Sequence, residues 1–198
     1  MTEEITLPGN RVFRMIQDDN AMDPREWDNL GTMACFHKRY GLGDQVHFSS
    51  DQFYGWDEMY DYIENDLDAA VILPLYLYDH SGITISTEPF SCRWDSGQIG
   101  FIYVTKETLR KEYSVDRITE KIKEKARKVL LAEVETYDQY ITGDVYGFEI
   151  VKLQKCDEGH VHEKTEDSCW GFFGSDIKEN GILDHVNAED AKIILGEL

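Results

Sequence analysis

The stretch VILPLYLYDHSGITISTEPFSCRWDSGQIGFIYVT (71–105) predicts the central sheet of this chain. It holds the most apolar run of the sequence, and segments rich in β-branched and aromatic residues alternate in it with segments rich in Gly, Pro and Asp. The first composition is typical of strands and the second of turns. The stretch therefore predicts three consecutive antiparallel strands that form a meander at the centre of a sheet. The predicted strands are VILPLYLY (71–78), ITIST (83–87) and IGFIYVT (99–105).

Amphipathic patterns on either side of this stretch predict the helices. Over residues 56–70 and again over residues 115–141, apolar residues recur mostly every three or four positions, which is the spacing of one helix face. Gly143 follows the longer pattern, where glycine commonly ends a helix. Two further short helices are predicted over 106–113, capped by Thr105, and over 188–198, capped by Asn187.

The remaining strand-like segments lie toward the two ends of the chain. Residues 11–19 follow an irregular start and predict a first strand. Residues 144–154 and 168–174 predict two more strands, which either form a second hairpin or extend the first sheet. A chain of 198 residues with 41% apolar residues is large enough to bury a core. We therefore expect a single α+β domain over residues 1–198, with an antiparallel sheet packed by one long helix and shorter helices.

The net charge of −19 at pH 7 is the largest deviation of this chain from an ordinary composition. The sequence has 39 Asp and Glu residues and only 20 Lys and Arg residues. Direct binding to nucleic acid or to an anionic membrane surface depends on Lys and Arg, so this composition argues against both. Two interpretations stay open: the charge keeps the chain soluble, or it attracts a basic partner.

The compartment is predicted from segments that the sequence lacks. No run of about 18 apolar residues is present to span a membrane. The start MTEEITLPGN has neither the basic nor the apolar region of a signal peptide. We therefore expect a protein of the cytoplasm, in which the four cysteines stay reduced.

Acidic residues dominate the segment between Arg39 and Arg93, which has ten Asp and Glu residues and no Lys or Arg. Four of them follow one another in the predicted helix 56–70 at steps of four, three and four, which places them along one side of that helix. A solvated helix usually intersperses Lys among such residues. The row is therefore either a solvated acidic face or an imitation of the phosphates of a nucleic acid. The candidate partner-binding residues are Asp57, Asp61, Glu64 and Asp68.

The only basic segment runs from Lys106 to Lys128 and has nine Lys and Arg residues against five acidic residues. Its helical spacing allows pairs such as Glu120 with Lys123, each of which contributes only about 0.2–0.5 kcal/mol. This spacing favours a solvated helix face. A binding patch is the alternative.

Cys92, His80 and Asp95 are the first candidate for catalysis. A thiol nucleophile needs a base within hydrogen-bond distance and a third group that orients the base. His80 precedes the predicted strand 83–87 and Cys92 follows it, so about 15–17 Å separates them in an ideal meander. This distance argues against a triad and favours a buried thiol and a turn histidine. The sequence contains no phosphate loop, dinucleotide fingerprint, metalloprotease motif or nucleophile elbow.

The second candidate is a metal site. Thiolates and imidazoles are ligands that zinc prefers, and four such residues occur here within 14 positions. Their spacing is not one of the recurrent zinc patterns, so the segment is interpreted first as a polar hairpin loop, with zinc as the alternative. The four residues are Cys156, His160, His162 and Cys169.

Most of the chain resembles small acidic proteins encoded by bacteriophages and integrative elements. The resemblance lies in PREWDNLGTMACFHKRYGLGD (24–44), in PLYLYDHSGITISTEPFSCRWDSGQIGFIYVT (74–105), and in GDVYGF with DSCWGFFG (143–174). That family has no assigned activity, so the resemblance implies a genomic context and no site. Bacteriophages and mobile elements also encode acidic DNA mimics that block restriction or CRISPR systems, so by analogy this context favours the phosphate-imitating interpretation.

We therefore expect an acidic binding protein in the cytoplasm of a host cell, with a non-enzymatic function favoured over an enzymatic one and with no cofactor. Its expected partner is the basic surface of a host nucleic-acid-binding defence protein, which it inhibits as a DNA mimic. The alternative is an enzyme or a protein that binds a small ligand or a metal through the loops at 79–98 and 156–169.

Overall fold

The computed structural model describes residues 4–197. Over these residues the chain forms eight β-strands in two antiparallel sheets and five α-helices, so the predicted α+β class is confirmed. No described helix is both long enough and apolar enough to cross a membrane. The strands are β1 (Glu4–Leu7), β2 (Arg11–Gln17), β3 (Thr32–Cys35), β4 (Ala69–Asp79), β5 (Ile83–Ser86), β6 (Ser96–Thr105), β7 (Val145–Lys155) and β8 (Val161–Phe173). The helices are α1 (Trp56–Asn65), α2 (Lys106–Tyr113), α3 (Glu120–Thr142), α4 (Ile182–His185) and α5 (Ala188–Glu197).

The described chain divides into two compact units. The central unit, Asp23–Thr142, contains a four-stranded sheet in the order β3-β6-β4-β5 together with α1, α2 and α3. The terminal unit is made of the described residues up to Met22 and from Gly143 onward. It contains a second four-stranded sheet, in the order β1-β2-β7-β8, together with α4 and α5.

The sheet of the central unit is covered on both faces, as the burial of β6 shows. Residues 99–104 are all buried. Ile102 belongs to one core cluster with Leu130 of α3, whereas Phe101 belongs to another with Met59 of α1. Since successive side chains of a strand point to opposite faces, α3 and α1 cover opposite sides of the sheet. The prediction that the long helix packs on the central strands is confirmed.

The order of these strands corrects the predicted meander. β4 lies between β5 and β6 and pairs with both, whereas the prediction placed ITIST (83–87) in the middle. β5 has four residues and pairs only with Tyr76–Asp79. β4 and β6 have 11 and 10 residues and pair along nearly their whole length. Direct pairing of the two long strands satisfies more buried backbone groups than pairing either of them with β5.

The helices of the central unit agree with the periodicity except at their ends. α3 begins at Glu120, later than expected, and Gly143 follows it with φ +74°, a left-handed conformation that favours glycine. The N-terminus of α2 is capped as predicted, because the Thr105 side chain accepts a hydrogen bond from the Thr108 amide at 3.1 Å. α1 ends at Asn65, which is shorter than the predicted helix over 56–70.

A buried arginine holds the segment that precedes β3. The Arg25 side chain is 5% exposed and donates hydrogen bonds to Asp44, at 2.7 and 2.9 Å, and to Glu133 of α3, at 3.2 Å. Glu133 also accepts a bond of 2.7 Å from the Leu30 amide. These charge-assisted bonds attach the segment to α3 and to Asp44 in the loop after β3.

In the terminal unit, β7 and β8 form the second hairpin, one of the two predicted alternatives. β8 begins at Val161, so most of the predicted polar connection belongs to a strand. β2 confirms the predicted first strand, and β1 lies within the segment expected to be irregular. The core of this unit contains Phe13, Phe148 and Ile194 from β2, β7 and α5.

The last helix of the terminal unit is capped as predicted. The side-chain oxygen of Asn187 accepts a hydrogen bond of 3.0 Å from the amide of Asp190. Leu198, the predicted end of this helix, and residues 1–3 of the predicted irregular start lie outside the described residues.

Candidate functional site

α1 carries a row of carboxylates on the side opposite its buried residues. Met59 and Ile63 are 1% and 0% exposed and belong to the core cluster beneath the helix. Asp57, Asp61 and Glu64 are exposed, and their spacing of four and three residues places them on one side of the helix. These three residues form the α1 acidic face.

The charge spacing of the α1 acidic face is similar in scale to that of a nucleic acid. Asp57 and Glu64 are seven residues apart, which corresponds to about 10.5 Å along a helix axis. Three charges over this length give about one charge every 5 Å, compared with about 3.4 Å along one strand of B-DNA. A surface that binds successive phosphates is therefore of the right scale to bind these carboxylates.

None of the three carboxylates has a cationic partner within the part of the chain that the structure describes. No nitrogen of Lys, Arg or His lies within 4.0 Å of a carboxylate oxygen of Asp57, Asp61 or Glu64. The exposed side of α1 thus lacks the Lys residues that usually pair with exposed Glu and Asp four positions away. The full charge of this face is available to a partner.

Asp68, the fourth predicted partner-binding residue, does not belong to this face. It has φ +52° and lies beyond the end of α1, because the chain turns there to enter β4 at Ala69. Its carboxylate forms an ion pair with Lys106, and its carbonyl accepts a 2.9 Å hydrogen bond from the Lys106 amide. The predicted row of four carboxylates is therefore a row of three.

His80, Cys92 and Asp95 lie together, contrary to the predicted distance. Nδ1 of His80 is 3.5 Å from Oδ2 of Asp95, and Sγ of Cys92 is also 3.5 Å from the same oxygen. The carboxylate thus lies between the imidazole and the thiol. This order differs from a catalytic triad, in which the imidazole lies between the thiol and the carboxylate.

The strand order brings His80 to Asp95, whereas Cys92 and Asp95 are only three residues apart in the same loop. β4 ends and β6 begins at the same end of the sheet, because Tyr78 pairs with Ser96 in an antiparallel register. The Asp79 amide donates a 2.8 Å hydrogen bond to the carbonyl of Asp95, which holds the two chain segments side by side. The expected separation of about 15–17 Å assumed that β5 lay between these segments.

A cavity of about 590 Å³ opens beside Asp95. Leu77 and Ile99 are buried residues of its lining, and Trp94, with an exposed fraction of 96%, lies at its rim. The loop after β3 contributes Lys38 and other polar residues. The volume and the mixture of apolar and polar groups fit a site for a small ligand.

The four candidate zinc ligands are not brought together. The Cys156 amide donates a 2.9 Å hydrogen bond to the carbonyl of His160, so these two residues lie in the same turn. Cys169 lies seven residues beyond His162 along β8, or about 23 Å along an extended strand. Among residues 4–197, no group of three or more His, Cys, Asp or Glu residues is placed to hold a metal ion.

Lys38 and Gln98 line the cavity beside Asp95 but belong to no motif in the sequence. Lys38 lies in the loop after β3, and Gln98 lies in the part of β6 that extends beyond its pairing with β3. Only the order of the strands brings these residues to the same cavity, so no local pattern indicates them.

The geometry of the central unit is the basis for a functional conclusion about this chain. Comparisons with protein-family models, curated proteins and solved structures found no match. The function is therefore argued from the α1 acidic face and from the cluster of His80, Asp95 and Cys92.

Proposed function

We propose that this chain is a non-enzymatic binding protein whose α1 acidic face occupies the basic, nucleic-acid-binding surface of a host defence protein. One observation carries the proposal: the three exposed carboxylates of this face have no cationic partner within 4.0 Å among the described residues. A protein that binds phosphates through Lys and Arg supplies such cations. The chain would then inhibit its partner by competing with the nucleic acid.

The charge of the whole chain supports the same class of partner. A net charge of −19 attracts a basic surface at a distance and accelerates association, an effect that weakens as salt screens the charges. The same charge repels nucleic acid, which is consistent with a partner protein and not a nucleic acid as the bound molecule. The resemblance to proteins of bacteriophages and integrative elements supports a defence protein as the target.

Charge reversal of the α1 acidic face tests this proposal. The triple variant Asp57→Lys, Asp61→Lys, Glu64→Lys is compared with the unchanged chain in pull-down assays against purified host restriction and CRISPR nucleases. We expect binding to weaken by roughly tenfold or more, because three attractive contacts become repulsive ones. Circular dichroism spectra verify that the variant retains its helices.

A matched control separates this face from net charge alone. The variant Glu107→Lys, Glu112→Lys, Glu135→Lys reverses three exposed carboxylates of the same unit and changes the net charge equally. We expect it to bind nearly as well as the unchanged chain. If both triple variants lost the same amount of binding, the net charge of the chain and not the α1 acidic face would explain the affinity. Unchanged binding of the α1 variant would remove the proposal.

A small-ligand site at Asp95 is a second candidate function. The observation that favours it is the contact of both His80 and Cys92 with one oxygen of Asp95, at the edge of a cavity of about 590 Å³. In this function the cavity holds the ligand, and the Cys92 thiol lies behind Asp95, the one residue of the cluster that lines the cavity.

Alkylation of the cysteines by iodoacetamide, mapped by mass spectrometry, tests this second candidate. A carboxylate beside a thiol disfavours the thiolate, so this candidate requires His80 to offset Asp95; Cys92 should then react fastest of the four thiols. Cys35 is the internal control for a buried thiol, because burial raises its pKa to about 12 and keeps it protonated at neutral pH. Cys156 is a partly exposed thiol outside the cluster. A Cys92 thiol that reacts no faster than Cys156 counts against the site.

A further inference from the structure

A second cavity of the central unit is lined mainly by cationic side chains. It has a volume of about 330 Å³ and lies where the start of β4, α2 and the start of α3 meet. Its lining includes one carboxylate, that of Asp116. The cationic residues that line it are Lys106, Arg110, Arg117 and Lys123, and together with Asp116 they are named the basic pocket.

The turn after α2 brings these cationic side chains to the same cavity. Ser114 ends α2 in a left-handed conformation with φ 51°, and the next amide, that of Val115, donates a 3.1 Å bond back to the Arg110 carbonyl. The chain therefore reverses and places Arg117 near α2. The first turn of α3 follows, where the Lys123 amide donates to the Thr119 carbonyl at 3.0 Å. Cations that are 17 residues apart in the sequence thus share one cavity.

Two of the four cations have no carboxylate partner among the residues that the structure describes. Lys106 pairs with Asp68, and Lys123 pairs with Glu120 at 3.1 Å, although the Glu120 side chain is 89% exposed. Within the described chain, Arg110 and Arg117 have no carboxylate oxygen within 4.0 Å of their guanidinium nitrogens. Arg110 and Arg117 are exposed, so water solvates them in the free chain and an anion in the pocket would attract both. The pocket therefore concentrates positive charge in a chain of net charge −19.

We propose that the basic pocket binds the phosphate group of a small phosphorylated molecule. Arginine binds phosphate through two parallel N–H donors, and the lysines add point charges on the same group. The volume of about 330 Å³ is at the lower end of ligand cavities, which suits a phosphate or diphosphate with a short attached group.

The charge of the chain selects a small anion over a nucleic acid. A polyanion that reached this pocket would also meet the repulsion of the remaining acidic surface, whereas a molecule with one or two phosphates meets far less of it. The proposal does not depend on the α1 acidic face, since no residue of that face lines the pocket.

Calorimetric titration of the full chain with inorganic phosphate and with pyrophosphate, in a buffer free of other multivalent anions, tests the proposal. We expect pyrophosphate to bind more tightly than phosphate because it carries more charge. The double variant Arg110→Ala, Arg117→Ala removes the two unpaired guanidinium groups and should weaken pyrophosphate binding by roughly tenfold or more. Thermal unfolding verifies that this variant is folded.

A matched control variant, Lys121→Ala with Arg127→Ala, loses the same charge from exposed positions of α3 that do not line the pocket. It should bind pyrophosphate as the unchanged chain does. Asp116→Asn removes the carboxylate of the lining and should tighten binding about twofold or more, which a misfolded variant would not do. Absence of pyrophosphate binding, equal loss in both double variants, or stronger binding of a short DNA duplex than of pyrophosphate would overturn the proposal.

Discussion

Asp190 is buried at an exposed fraction of 1%, and its carboxylate is held by an arginine of another element. Arg11 of β2 donates two hydrogen bonds to it, at 2.6 and 2.8 Å, and Asn187 donates one of 2.5 Å. The hydrogen bonds from Arg11, and to a smaller extent the one from Asn187, favour the ionised carboxylate. They hold the pKa of Asp190 below its usual value. A buried charge with this many partners stabilises the terminal unit only while it is ionised.

The variant Asp190→Asn should therefore reduce the free energy of unfolding near pH 7 by about 1.5–3 kcal/mol, because asparagine keeps one acceptor oxygen, loses one of the two Arg11 bonds and leaves the other without a charged acceptor. The folded pKa is lowered, so the stabilisation is present above the unfolded pKa of about 4 and is lost as the pH falls through the folded pKa. Urea unfolding across this pH range measures the effect. The difference between the two proteins should shrink in acid, and a difference independent of pH would contradict this account.

Glu189, the exposed neighbour of Asp190, provides the control for the unfolding measurement. Glu189 lies next to Asp190 in the first turn of α5 but is exposed. Glu189→Gln should change stability by about 0.5 kcal/mol or less, since exposed charges contribute little. The local sequence does not predict that Asp190 is buried, because Glu189 and Asp190 are both acidic residues in the first turn of α5. Only the packing of α5 against β1 and the position of Arg11 distinguish them.

Among the elements, α2 ends in a way that its sequence does not favour. Ser114 has φ 51° and ψ 50°, a left-handed conformation in which a Cβ atom is strained. Glycine adopts this conformation without that cost and is the residue most often found at such positions. The turn is nonetheless required, because it leads the chain from α2 into α3.

Ser114→Gly should therefore raise the free energy of unfolding by about 0.5–1 kcal/mol, the relief of strain being partly offset by the greater freedom of glycine in the unfolded chain. Chemical denaturation measures the change. Ser91→Gly, at an exposed loop position without positive φ, is the matched control and should not stabilise the protein. A loss of stability in Ser114→Gly would refute the assignment of strain to this residue.

The elements themselves were largely predictable from local patterns. The apolar periodicity of α3 and the Thr105 cap of α2 depend on neighbours within a few residues, so the sequence shows them directly. The end of α1 was not predictable in this way, since Leu67 continues the helical pattern beyond Asn65. The pairing of Ala69 with Thr105 in the sheet overrides that pattern, and it depends on residues far apart in the chain.

At the scale of the whole molecule, the net charge of −19 is a source of self-repulsion. Like charges in a compact chain repel one another, which lowers the stability of the folded state relative to the more expanded unfolded state. Salt screens this repulsion: the Debye length falls from about 30 Å at 0.01 M to about 8 Å at 0.15 M.

Thermal unfolding should therefore occur at a higher temperature in about 0.15 M sodium chloride than in about 0.01 M. A gain of about 1 kcal/mol corresponds to roughly 2–4 °C in Tm for a chain of this size. The variant Glu107→Lys, Glu112→Lys, Glu135→Lys, in which each substitution changes the charge by two, should gain less from the same salt. A Tm that falls with salt would mean that ion pairs such as Arg14 with Glu163 outweigh the repulsion.

The α+β class, the long helix and the acidic character of the segment before the central strands are all predictable from local sequence. These depend on composition and on periodicities of a few residues. Tertiary pairing places β4 between β5 and β6, and this order brings His80 to Asp95. Strand order depends on which long strands can satisfy each other's backbone groups, and that pairing joins residues that are distant in the chain.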